Sequence, residues 1–243
     1  MALVEAACAQ AGVGTAELTV VLQVGDAEPQ RDEAEAATVP GPAKYRKLGD
    51  FAEVVTGEVV VPAPVWFVAG NHEPFGALDA DGGLAAGAGQ WGPDVTYLGR
   101  AGVAQVAGLK VGFLSGIYRE KSFEAPPGRP RPGKTAGHYT AGELATARTQ
   151  MATGVDVLVT HDWPTGMPDT GRGGVGDERV RALVDDFAPL LSLHGHMHVP
   201  GSAVLGQTQV AGLAIVGRRS GDPMAAVGLW DVDLVRRTVH RLV

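Results

Sequence analysis

Four apolar runs, each giving way to polar side chains, constrain this chain more than any other feature. They are residues 18–24 (LTVVLQV), 62–70 (PAPVWFVAG), 155–160 (VDVLVT) and the run PLLSLHGHMH, which ends in histidines. Short apolar runs without alternation read as strands buried on both faces. Stretches of helical pattern lie between and before them: 2–12, 44–56, 177–187, and one opened by the capping-box sequence TAGE at 140–143 and running to Met151. This alternation predicts an α/β fold, a central mixed sheet or two packed sheets flanked by helices.

The rest of the chain reads less sharply. Residues 27–43 are polar, acidic and broken by proline, and 76–92 are Gly/Ala-rich, a loop or a weak helix. Short strands are expected within 95–117, and hairpin-like strands from Ser202 onward. A long Pro/Gly/basic segment, 119–138, interrupts the pattern. No repeat or linker divides the chain, so one domain over residues 1–243 is expected.

In sheets of this kind, ligands bind beyond the carboxyl ends of the strands. The polar clusters fall there: Gly25-Asp26, Gly70-Asn71-His72-Glu73, His161-Asp162 and Gly195-His196-Met197-His198. Taken singly, each has a plain structural reading. Asp26 and Asn71 suit turns, and His161 and His194 suit satisfied histidines at strand junctions. Together, one Asp, one Asn and several His form a mixed donor set that suits Mn²⁺, Fe²⁺ or Zn²⁺ better than Ca²⁺. Two such ions ~3.5–4 Å apart would clamp a phosphoryl group and activate water against it. His72, beside Asn71, is placed to protonate a leaving oxygen.

Composition limits the alternatives. A net charge of −7 argues against broad electrostatic binding of nucleic acid. Cys8 is the only cysteine, so no internal disulfide forms, and a packed small side chain is expected there. No apolar run approaches the ~20 residues of a membrane span, and the amino terminus lacks a signal-like basic start and core. A cytoplasmic enzyme or binding protein is the expectation.

In order and spacing, these clusters resemble the calcineurin-like metallophosphoesterase superfamily, and within it the RNA lariat debranching enzymes. The further matching stretches are KYRKLGDFAEVVTGE (44–58), VTYLGRAGV (95–103), VGFLSGIYR (111–119), SFEAPP (122–127) and THDWP (160–164). The resemblance covers roughly residues 20–200. It implies that Asp26 bridges two divalent metal ions, that Asn71, His161 and His196 bind the second ion with it, and that His198 binds the first. Asp26 and His72 are then the catalytic residues, with Glu73 and Asp162 orienting the ligands.

The superfamily pattern opens with a strand ending in Asp-x-His, which is not found before Asp26. Either Met1 is a late start, the favoured expectation, or the first-metal site is incomplete and the chain holds one ion. Arg129, Arg131 and Lys134 lie where a substrate loop belongs, although a solvated Pro/Gly loop is the plainer reading. Arg218 and Arg219 read as surface charges.

The expected activity is metal-dependent phosphoester hydrolysis, first of a phosphodiester, with a nucleotide or RNA as candidate substrate. The alternatives are a phosphomonoesterase or nucleotide phosphatase, and a non-catalytic metal-binding scaffold.

Overall fold

The computed structural model describes residues 2–40, 43, 46–80, 88–126, 131–168, 174–216 and 222–243. Its strands are β1 Val21–Gln23, β2 Val65–Phe67, β3 Gly89–Gly92, β4 Val95–Tyr97, β5 Ala101–Val106, β6 Leu109–Leu114, β7 Val157–Thr160, β8 Leu191–His194, β9 Gly201–Leu205, β10 Thr208–Gly212, β11 Trp230–Asp233 and β12 Thr238–Arg241. Its helices are α1 Ala2–Ala11, α2 Glu33–Thr38, α3 Phe51–Thr56, α4 Phe75–Leu78, α5 Glu120–Phe123, α6 Ala141–Met151 and α7 Glu178–Phe187.

Two mixed sheets carry the architecture. One has the order β1-β2-β4-β3, the other β5-β6-β7-β8-β10-β9, and β11 pairs with β12 as a hairpin. Within the first sheet β1, β2 and β4 run parallel. Within the second, β6, β7, β8 and β10 do. A single core joins both sheets: Val24 and Val68 from beyond β1 and β2 meet Phe113, Val159 and Leu193 of the other sheet, and Val239 from the hairpin completes the cluster. The outer face of the larger sheet is covered by α6 and α7 through Ala147, Met151, Leu183 and Val184. On the smaller sheet, Val54 and Phe75 of α3 and α4 pack on Phe67 and Tyr97. The expected α/β class, mixed sheets with flanking helices, is therefore the observed one.

Several boundaries differ from the sequence expectation. The run 18–24 yields only a three-residue strand, half-buried rather than buried, because β1 lies at the edge of its sheet. β7 and β8 sit inside the larger sheet and are buried at every residue. The expected helix 44–56 shortens to α3. Residues 46–50 are not helical, and 44–45 lie outside the described residues. The stretch read as polar, acidic and broken by proline, 27–43, contains α2, whose N-cap Asp32 accepts from the Glu35 amide at 2.9 Å. The 76–92 stretch begins within α4 and ends in β3, with 81–87 outside the described residues. Segment 119–138 holds α5 and a short 3₁₀ turn, Gly133–Gly137. Among the described residues no helix is long and apolar enough to cross a membrane.

Candidate metal centre

The parallel strands β1 and β2 of one sheet and β7 and β8 of the other bring their carboxyl ends to the same edge of the sandwich. The chain there needs glycine for close approach. A Cβ on Gly70 would lie 2.6 Å from Asp26 N and 2.7 Å from His161 Nε2, and one on Gly25 would lie 2.8 Å from Gly70 N. Both are below any real Cβ contact distance. The Gln23 carboxamide braces the first turn, accepting from Gly25 N (2.6 Å) and donating to Gly25 O (3.0 Å). From that turn Asp26 emerges with φ +52°, a left-handed conformation that favours glycine. His196 and His198 share it, with φ +61° and +63°. Three of the predicted ligand positions thus hold strained backbone, the kind that accumulates at functional sites.

Asp26 is the hub. Its Oδ1 accepts the amides of Asn71 (2.8 Å) and His72 (3.0 Å), which pins the second strand exit to the first. Its Oδ2 faces His161 Nε2 at 3.4 Å. His161 Nδ1 lies 2.7 Å from the Val24 carbonyl. A carbonyl only accepts, so a proton sits on Nδ1, and Nε2 faces Asp26 with a second proton that a bound cation would replace. Among the described residues, that Nε2 and Asn71 Oδ1 are both buried without a hydrogen-bond partner.

The electrostatics agree. Burial alone would raise the Asp26 carboxyl, but the His161 ring beside it, and then His72, hold it well below the usual carboxylate range. Burial alone would lower His161, yet Asp26 lifts it to about 9. These shifts have one cause: a dry pocket of acceptors that binds positive charge, a proton in the simplest case.

Glu73 is fully buried and accepts from Ala27 N (2.8 Å) and Gly70 N (2.7 Å), so it clamps the backbone on both sides of the hub. Burial and the nearby Asp26 charge push its carboxyl up to about 8. Ala69, just before the second cluster, is gripped from the larger sheet. Its amide donates to Ser115 Oγ (3.0 Å) and its carbonyl accepts from Gly116 N (2.7 Å).

The histidines separate by environment. The His196 ring lies 5.1 Å from that of His161, centroid to centroid. Burial and the His161 charge lower its pKa to about 4, with His198 adding to the effect, so neutral nitrogens are present at pH 7. His194, in contrast, is a satisfied structural residue. Its Nδ1 meets Thr160 Oγ1 (2.7 Å) and its Nε2 meets Ser192 Oγ (2.9 Å). Asp162 also behaves structurally: its carboxylate accepts from Tyr118 N (3.0 Å) and from Trp163 N (3.1 Å). Of the loop cations, Arg131 forms a bidentate pair with Glu143 (2.8 and 2.9 Å), which ties it to α6. Arg129, Arg218 and Arg219 lie outside the described residues.

The structure therefore joins Asp26, Asn71, His72 and His161 directly and sets His196 against His161. Among the described residues no three His, Cys, Asp or Glu side chains stand together as a group that could hold a metal ion by themselves. The unpartnered Nε2 and carboxamide oxygen, next to a depressed carboxylate, nevertheless fit a divalent cation. Glu73 was expected to orient the ligands and does so through the backbone it clamps, whereas Ser115 was not legible as part of this site. Only the glycines inside the strand-end clusters signalled that chain segments would press together here.

Comparison with known proteins gives the same direction. The chain is 33% identical over 210 residues to the lariat debranching enzyme of Gallus gallus, which covers 76% of this chain and 38% of that protein. It is 27% identical over 216 residues to the Homo sapiens enzyme (79% and 38%) and 28% identical over 212 residues to that of Caenorhabditis briggsae (74% and 40%). The chain thus spans about two fifths of the length of these relatives. No family model matches it. Among solved structures, TT1561 of Thermus thermophilus aligns with a TM-score of 0.47 at 14% identity over 91% of this chain and 84% of that one. A second aligns with a TM-score of 0.51 at 15% identity, over 99% and 91% of the two chains, a likeness of fold alone. The resemblance read from the strand-end clusters holds, and the chain is a relative of the lariat debranching enzymes within the calcineurin-like metallophosphoesterases.

Proposed function

We propose that the chain is a metal-dependent phosphoesterase that hydrolyses phosphodiesters. The observation that carries this reading is the pair of half-buried Asp26 and buried His161, drawn from two different sheets, with Nε2 and carboxylate facing each other across 3.4 Å. Asp26, Asn71, His161 and His196 hold one divalent cation, and His198 serves a second, with Mn²⁺, Fe²⁺ or Zn²⁺ suited to these donors. Such cations polarise the phosphoryl group and make water nucleophilic at neutral pH. The protein's own part is electrostatic and positional. Glu73 fixes the backbone around Asp26, and the Val24 carbonyl fixes the His161 tautomer, so both donors face the centre without reorganising. As the ester bond to phosphorus breaks, His72 gives its proton to the departing oxygen. The similarity to lariat debranching enzymes supports a diester, and a branched 2′,5′-linked RNA is the first substrate to try.

The test is hydrolysis by Mn²⁺-loaded protein of a model diester against a model monoester, and of a 2′,5′-branched against a linear 3′,5′ oligonucleotide. Asp26→Asn and His161→Ala should each lower diester turnover by more than the roughly 10- to 100-fold that losing an outer hydrogen-bond partner costs a metal site. Unchanged turnover in both variants rules the assignment out. Faster cleavage of the monoester makes the chain a phosphomonoesterase, and metal binding without any turnover makes it a scaffold.

A further inference from the structure

Among the described residues no hydrogen bond orients the carboxamide of Asn71. Asp26 holds its backbone amide, but its Oδ1 is buried and unpartnered. What limits the side chain is packing. Gly137 lies against it so closely that a Cβ there would come within 2.8 Å of Asn71 Cα and 3.1 Å of its Cβ. The strap that carries Gly137 therefore limits where Asn71 sits and the room its side chain has.

That strap is fixed from below by one buried cation. Arg100 Nη1 donates to the Ala136 carbonyl at 2.6 Å. Its Nε and Nη2 form a bidentate pair with Asp79 at 2.9 and 2.6 Å, both side chains being over nine-tenths buried. Its guanidinium also stacks 4.2 Å above the ring of Phe75, four residues beyond Asn71. A single side chain thus grips both the strap lying on Asn71 and the segment leading away from it. The strap meets the larger sheet through Ile117 N to Gly137 O (3.0 Å) and Tyr139 N to Ile117 O (3.1 Å). These bonds set its height over the sheet, while Arg100 holds it against Asn71.

We propose that Arg100, clamped by Asp79, is a positioning residue for Asn71. It sets the carboxamide oxygen for the cation and acts on metal affinity through Asn71 alone. This rests on the reading of Asn71 as a metal ligand given above. A guanidinium is needed because the task calls for donors in three directions from one plane. Lysine keeps the charge but cannot hold a carboxylate bidentately and a carbonyl together.

The experiment is Mn²⁺ titration of the chelator-stripped full chain, with free Mn²⁺ read by electron paramagnetic resonance. The proteins are wild type, Arg100→Lys, Asn71→Ala and the double variant, each checked for fold by circular dichroism. Arg100→Lys should weaken Mn²⁺ binding about tenfold or more, the scale of an outer partner. The double variant should bind no more weakly than Asn71→Ala. Wild-type affinity in Arg100→Lys, or losses that multiply in the double variant, would overturn the proposal while leaving the metal centre standing. A wild-type chain that binds no Mn²⁺ removes the centre and this inference together. If Arg100→Lys does not fold, Asp79→Asn replaces it in the same cycle, because it keeps the shape of the clamp and removes its charge; the same outcomes decide.

Discussion

His194 ends β8 two residues before His196, yet the two imidazoles have opposite relations to their surroundings. His194 donates through Nδ1 to Thr160 and accepts through Nε2 from Ser192, so both nitrogens are satisfied in the neutral ring. Burial lowers its pKa from 6.5 to about 3. The unfolded chain therefore binds the proton more tightly than the folded one. The stability this residue gives is complete above pH 6.5 and is lost as pH falls toward 3. Each pH unit in that window removes up to about 1.4 kcal/mol. In EDTA, denaturant unfolding at pH 7, 6 and 5 should show a steeper acid loss in the wild type than in His194→Gln. Equal slopes would mean that His194 is not buried neutral. His161, also buried, moves the other way because its Nε2 meets a carboxylate rather than a hydroxyl donor. Sequence alone does not separate the two, since both are single histidines at the end of an apolar run.

Among the elements, α6 shows how far local signals carry. The TAGE sequence marks its start, and the structure forms the box: Thr140 Oγ1 accepts from Glu143 N (3.2 Å), while Glu143 Oε2 accepts from Thr140 N (2.8 Å). Glu143 also holds Arg131, so the cap fastens the loop before it. Thr140→Ala should cost about 1 kcal/mol, the usual worth of an N-cap, measurable by denaturant unfolding; no loss would mean the box adds nothing here. Strands β7 and β8 were equally legible, because interior parallel strands must be apolar on both faces. α2 was not, since EAEAAT is short and lacks an apolar stripe. Nor was the edge position of β1, which depends on what lies beside it rather than on its own residues. The strand-end clusters were visible only jointly: each has a plain structural reading alone, and their recurrence at four strand ends marked them. The parts that position them, Ser115, Arg100 and Gly137, act over sequence separations of 36 residues or more. No local pattern announces such partners.

At the scale of the whole molecule, Asp26 and Asn71 leave the smaller sheet and His161 and His196 the larger, so a cation held by all four ties the sheets together. Binding to the folded state alone stabilises by about 2.7 kcal/mol when free ligand is 100 times Kd. Mn²⁺ should therefore raise the melting temperature of the wild type, EDTA should reverse it, and His161→Ala should abolish it. A metal-independent melt would mean that the two sheets share no ion. The same architecture has a consequence for how such sequences vary. Asp26, His196 and His198 hold a left-handed backbone that glycine would adopt about 1 kcal/mol more cheaply. A library of variants selected only for heat resistance should drift to glycine at the two histidine codons while its core stays intact and Asp26, whose carboxylate holds two amides, is retained. What survives would be a sturdier protein with an empty centre, and the persistence of side chains at those positions would record that selection had asked for something besides durability.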